Sequence, residues 1–200
     1  MESSDPKDSN FDFSTNDLEL ISDSTFFAKK SAIMTHVQHV FATLEQQISD
    51  IQLLNLPIEV IDKQRGKISQ GEKYLGAPWI VLDKPAYFSG NDIFAYRHMF
   101  LWGQSFTTSF HLSGQFMRMA RGKSLKKLIG KDRYLLTGSN PFIHHYHEQF
   151  HRAIEDVDQA LMEQLSYIRI AEFTTLNDHG TFLKKCARFI QDVDDFLDKN

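Results

Sequence analysis

Apolar residues near the start of the chain recur every three or four positions: Phe27, Ile33, Val37, Val40, Phe41, Leu44, Ile48 and Ile51 share one helical stripe. The spacing predicts a long helix, with Ser24 as N-cap and Pro57 beyond its end. Ile58 to Ile61 reads as a short β-like piece, and Ala77 to Leu82 as a buried strand broken by Asp83, Lys84 and Pro85. A period of two follows. Phe94, Tyr96, Phe100, Trp102, Phe106, Thr108, Phe110 and Leu112 share one parity, while Arg97, Ser105, Thr107, Ser109 and His111 share the other. This predicts a half-buried strand from Phe100 to Leu112 with a bulge at Gly103 and Trp102 inside among the phenylalanines, while Asn91 to His98 is open between that strand and one or two helical turns.

Beyond Gly114 the pattern predicts a helix over 115–129 and a strand at Tyr134 to Thr137. A helix capped by Asn140 and opened by Pro141 then carries Ile143, Tyr146, Phe150, Ile154, Val157, Leu161 and Leu165. Tyr167 to Phe173 alternates as a last strand, and Thr181 to Leu197 closes the chain as an amphipathic helix. This order implies an α+β domain over 24–200, an antiparallel or mixed sheet of about four strands with helices packed on it. Residues 1–23 are acidic and poor in apolar side chains, and are expected to form a flexible tail.

Composition changes the picture in three respects. The single cysteine, Cys186, excludes an internal disulfide and suits a reducing, cytoplasmic compartment. Every apolar run is punctuated well short of the ~18 residues of a membrane span. A net charge of −4 gives no general attraction to nucleic acid, so that partner is not expected; a homo-oligomer is compatible with the sequence.

The text G-A-P-W-I-V-L-D-K-P, then F-A-Y-R-H-M-F-L-W-G, then H-L-S-G, over residues 76–114, resembles a pattern of small uncharacterised proteins of Bacteroidetes-type bacteria. The matching positions are Pro78, Asp83, Arg97, Trp102, Gly103 and His111 to Gly114. The resemblance implies a bacterial cytoplasmic protein and carries no catalytic residue. It also implies that His144-His145-Tyr146 lies in an extended segment.

Chemistry has three candidate locations. His147-Glu148-Gln149-Phe150-His151 reads H-E-x-x-H, which on a helix sets two imidazoles toward one Zn²⁺, with Glu148 as general base. The sequence supplies metal ligands His147 and His151 but no third in the compact arrangement; Glu172, Asp178 and His179 are the remaining candidates. A histidine-rich helix flank is the simpler reading, and no cofactor is expected unless the zinc motif is real. The second location is Arg118 to Arg133, seven cations against Asp132 alone, where Arg121, Lys123, Lys126, Lys127 and Lys131 form a candidate anion site or a solvated helix face. The third is the polar side of the long strand, where Arg97 with Asp83, and His111, form a buried pair or line a pocket. A Ser-His pair two residues apart stands on that side without a nucleophile-elbow motif or a placed carboxylate.

These readings favour a non-catalytic binding or interaction protein, with a zinc hydrolase and an anion or nucleic-acid binder as alternatives. The tail makes the first prediction: deleting residues 1–20 leaves the unfolding free energy within ~2 kcal/mol of the full chain in urea titration, and a larger loss would show that its apolar residues join a core.

Overall fold

The computed structural model describes residues 13–61, 65–130, 132–138, 140 and 143–198. The chain divides into two units, residues 1–36 and 37–200. In the first, α1 (Thr15–Ser22) is helical within the stretch expected to be tail. Its start is a capping box: the Ser14 hydroxyl accepts from the backbone of Asp17, whose carboxylate accepts from Ser14 in return. The boundary between units falls inside α2 (Phe26–Ser49). Asp23, rather than Ser24, makes the side-chain bond at the start of α2, accepting from the Thr25 amide at 2.8 Å.

The second unit is built on an antiparallel sheet of seven strands, more than the four or so expected, and the chain is α+β. The strands are β1 (Lys67–Tyr74), β2 (Ala77–Ser89), β3 (Asp92–Leu101), β4 (Ser105–Ser113), β5 (Arg133–Leu136), β6 (His151–Ala153) and β7 (Tyr167–Thr175), in the spatial order β1-β2-β3-β4-β7-β5-β6. The long strand expected over 100–112 is the end of β3 joined to β4 by a tight turn, with Gly103 at φ +72° in the turn and not at a bulge. Because Phe100 pairs with Phe106, the turn returns the chain in phase, and the single parity runs through both strands.

That parity builds the core. Phe94, Tyr96, Phe100, Phe106, Phe110 and Leu112 are buried on one face, where Phe106 meets Phe182 of α5 (Phe182–Leu197) with ring centroids 4.8 Å apart. Phe182 in turn meets Phe41 of α2 at 5.8 Å. Ions tie the same layers together: Glu172, fully enclosed on β7, binds Arg133 of β5 at 2.6 Å and Arg188 of α5 at 2.9 Å, and Arg133 reaches Asp192 of α5 at 2.6 Å.

β2 carries one extra residue. Asp83 pairs with Arg97, but Ala86 pairs with Ala95, so Lys84 and Pro85 together oppose Tyr96. Before this bulge the even residues Ile80, Leu82 and Lys84 face the helices; after it, Tyr87 does, stacking edge-on against Phe116 at 5.4 Å. The buried Lys84 ammonium donates to the Glu45 carbonyl at 3.0 Å and to Ser49 Oγ at 2.6 Å, at the C-terminal end of α2 where the helix dipole favours a cation.

Four local expectations are corrected. Ile58–Ile61 is a short helix, α3, rather than a strand. The helix expected over 115–129 is two separate 3-10 turns, Gly114–Met119 and Leu125–Leu128, divided by Gly122 at φ +72° and restarted by the Ser124 cap. The long helix after Asn140 does not form: His151 pairs with Leu136 and Ala153 with Tyr134 as β6, and only α4 (Gln159–Gln164), capped by Asp158, is helical. Its proposed first residue, Pro141, lies outside the described residues. Trp102 sits half-buried in the β3–β4 turn, edge-on to Phe100 at 6.3 Å, at the margin of the aromatic layer rather than inside it.

Phe110, with no exposed surface, and Trp102 therefore separate in energy. Phe110→Ala is expected to cost ~3–5 kcal/mol in urea unfolding, with Trp102→Ala clearly milder; the reverse order would mean that the register of β3 and β4 is wrong.

Candidate functional site

The sheet face opposite α5 carries the odd residues of β3, β4 and β7, joined after the bulge by Ala86 and Phe88 of β2. They form a cavity of about 670 Å³, within the range of small-molecule sites. One part of its wall is apolar, made by Trp79, Val81, Ala86, Phe88 and Ile93; the other is polar, made by Asp83, Arg97, His111, His144 and Tyr167, with Arg65 and Lys67 as exposed cations. Trp79 also lies over β1 at Gly71, where a Cβ would come within 2.6 Å of the indole, so any larger residue there would have to displace the ring.

Asp83 and Arg97 are cross-strand partners and form a two-pronged ion pair, with Nε to Oδ1 at 2.7 Å and Nη2 to Oδ2 at 2.9 Å. Burial works to lower the Arg97 pKa, and the Asp83 carboxylate outweighs it, holding the guanidinium above its ordinary value. The structure thus brings Asp83, Arg97 and His111 to one cavity wall.

A hydrogen-bonded chain runs beside them. Ser109 Oγ donates to the Arg97 carbonyl at 3.2 Å, so the 2.9 Å contact with His111 Nε2 has the imidazole as donor. His111 Nδ1 then accepts from the Tyr167 hydroxyl. This arrangement requires a neutral imidazole, and burial, followed by the charges of Arg169 and Arg97, pushes the His111 pKa well below its ordinary value. Burial likewise raises Tyr167 to about 12, keeping its proton in place. With His111 donating to Ser109, the serine has no base, and the pair is not arranged for nucleophilic attack.

Next to this chain lies Arg169, which sequence reasoning missed. It pairs across the ladder with His111, stands two residues from Tyr167 on the same face, and has no exposed surface. None of Nε, Nη1 or Nη2 has a hydrogen-bond partner. Burial lowers its pKa to about 10, which leaves it charged at neutral pH. Enclosing an uncompensated cation costs on the order of several kcal/mol. Among the described residues the one carboxylate on the cavity wall, Asp83, is committed to Arg97. The sequence signal was present in Tyr167-Ile168-Arg169-Ile170, a cation inside an alternating strand.

The segment from Ile143 to Phe150 supplies His144. It is not helical; Tyr74 of β1 holds it by accepting from the His144 backbone amide at 2.6 Å and meeting His145 Nδ1 at 2.9 Å. His144 Nδ1 and His151 Nε2 are buried without partners. The H-E-x-x-H residues do not share a helical face: His147 to Phe150 form a turn running into β6. His151 Nδ1 lies 3.2 Å from the His147 amide and 3.1 Å from its carbonyl, and His147 Nδ1 accepts from the Gln149 amide at 3.3 Å. Glu148 is exposed. Glu172, named as a third ligand, is ion-paired on the helix-covered side of β7, while His151 packs on the other side against Phe173; His179 bonds the Leu176 carbonyl. Among the described residues no group of three metal-ligating side chains comes together.

The basic segment is mostly occupied in holding helix ends. Arg121 donates to the carbonyls of Glu163 and Leu165 at the end of α4. Lys123 and Lys127 donate to those of Asp198 and Asp195 at the end of α5. Lys126 is exposed, and Lys131 lies outside the described residues. Comparison of the chain with family models, curated proteins and solved structures found no match.

The buried histidines set a pH dependence. Burial lowers His98 to about 3, His144 to about 2 and His151 to about 4, so each is neutral when folded. The unfolded chain takes up their protons below ~6.5, so stability is full above that pH and falls as pH drops toward the folded values. Between about pH 6.5 and 5, above the range where carboxylates titrate, the urea midpoint is expected to fall steadily, and His98→Gln to make the fall shallower. A flat profile there would show that these rings are charged or solvated.

Proposed function

We propose that this protein binds a small molecule with an apolar body in the cavity on the open face of its sheet, without transforming it. The observation that carries this reading is the division of the wall: Trp79, Val81, Ala86, Phe88 and Ile93 offer dispersion and hydrophobic contact, and Arg97, His111, His144 and Tyr167 offer a few placed polar groups. The Asp83–Arg97 pair and the Ser109–His111–Tyr167 chain hold those groups in fixed orientation, which lowers the ordering cost of binding.

The non-catalytic reading is supported by where the protons are. The buried Ser109 behind the wall and the imidazole and phenol on it form a closed donor sequence that ends on a backbone carbonyl, and among the described residues no carboxylate bonds to this sequence as a base. No helix among the described residues is long and apolar enough to cross a membrane, and the buried thiol of Cys186 is consistent with a cytoplasmic site of action.

Filling the cavity tests the reading. Saturable binding of the fluorescent probe 1-anilinonaphthalene-8-sulfonate at one site is expected, and Ala86→Trp, which projects an indole from the wall, should weaken it at least about tenfold, or ~1.4 kcal/mol. Unchanged affinity in a folded Ala86→Trp protein would move the binding site elsewhere.

A further inference from the structure

We infer that the ligand of this cavity carries a carboxylate, and that the carboxylate is the counter-ion of Arg169; this rests on the binding function proposed above. The guanidinium has five N–H donors and no protein acceptor; it is fully enclosed and does not itself line the cavity, but it lies behind the wall, paired across the ladder with His111 and close enough to Tyr167 and His144 to act on them electrostatically. Because Arg169 is enclosed while His144 and Tyr167 line the cavity, the inferred pairing requires ligand binding to displace part of that polar wall.

The local charge selects the sign of the ligand. Asp83 neutralises Arg97, the imidazoles of His111 and His144 are uncharged, and Arg169 is left as the one enclosed cation of this face with no carboxylate opposite it among the described residues. A single planar fork matches the two oxygens and one charge of a carboxylate. A phosphate monoester carries up to two charges and a tetrahedral array of oxygens, and would leave its second charge without a buried cation. Arg65 and Lys67 do not alter this choice, since they are exposed and their pull is screened by salt. The buried Nδ1 of His144, also without a partner, offers the carboxylate a further donor in the tautomer that places the proton there.

The test compares three ten-carbon probes, decanoate, decanol and decyl phosphate, by calorimetric titration of the full chain and of three variants. The wild-type protein should bind decanoate at least about tenfold more tightly than decanol, and the preference should survive about 0.5 M salt because the cation is enclosed. Arg169→Met, which removes an uncompensated charge and keeps an apolar stem, should fold with equal or greater thermal stability and bind the two probes alike. Arg169→Lys should retain part of the preference, since the charge remains and the fork is lost. Ala86→Trp should lose both probes, which separates failure of this inference from failure of the cavity. Equal binding of decanoate and decanol by the wild type, or a preference undiminished in Arg169→Met, would overturn the pairing. Tighter binding of decyl phosphate than of decanoate would overturn the carboxylate. If no probe binds the wild type, the cavity reading falls and the pairing falls with it.

Discussion

Alternation along the strands is the constraint on which everything else depends. Burial of Phe94, Phe100, Phe106 and Phe110 on one face leaves the paired strands one acceptable register, because a slip of one residue would bring Arg97 and His111 into the aromatic layer. The polar face is thereby assembled as a by-product of the apolar one. Arg97 comes opposite Asp83 and Ser109, and His111 opposite Arg169, since their neighbours on either side are held in the core. Packing energy is spent on one side of the sheet and geometry appears on the other.

The two faces treat charge differently. On the helix-covered side, Glu172 is enclosed by Arg133 and Arg188, and Arg133 extends to Asp192, while the buried carboxylate of Asp194 accepts from the backbone amides of Leu54 and Asn55, so these buried charges are satisfied within the protein. On the cavity side, Asp83 and Arg97 satisfy one another and Arg169 does not share in that pairing. A network that is complete on one side of a sheet and short by one acceptor on the other sets the two sides apart in role: the first binds secondary structure together, the second is left with capacity for something else.

What was legible in the sequence follows from which elements have one dominant period. The aromatic parity of 94–112, the alternation at Tyr167 to Phe173 and the amphipathic α5 each reflect one face against one core, and they were readable. The turn at Gly103 was hidden because it restores the phase it interrupts. β1 reads as polar because it is an edge strand, and β6 is three residues long. The spacing of Tyr146, Phe150 and Ile154 imitates a helix although Tyr146 is largely exposed, Phe150 lies in a turn and Ile154 in the 3-10 segment after β6. At the candidate site, Asp83, Arg97 and His111 are legible from their side of the strand, whereas His144 has no local signal that ties it to them and Arg169 is a single cation within an alternating strand. Both belong to the site through pairings distant in sequence, which no local period reveals.

The extra residue of β2 acts on this arrangement as a phase shift does on a wave. On one side of Lys84 and Pro85 the odd positions line the cavity, and on the other the even positions do. Ala86 and Phe88 thus belong to the cavity through chain length rather than through their chemistry, since a strand one residue shorter would carry the same letters to the opposite face. The size and greasiness of this wall are therefore adjustable in two distinct ways. Substitution alters what a position offers, whereas insertion or deletion at the bulge exchanges one whole set of side chains for another, converting lining into core and core into lining in a single step.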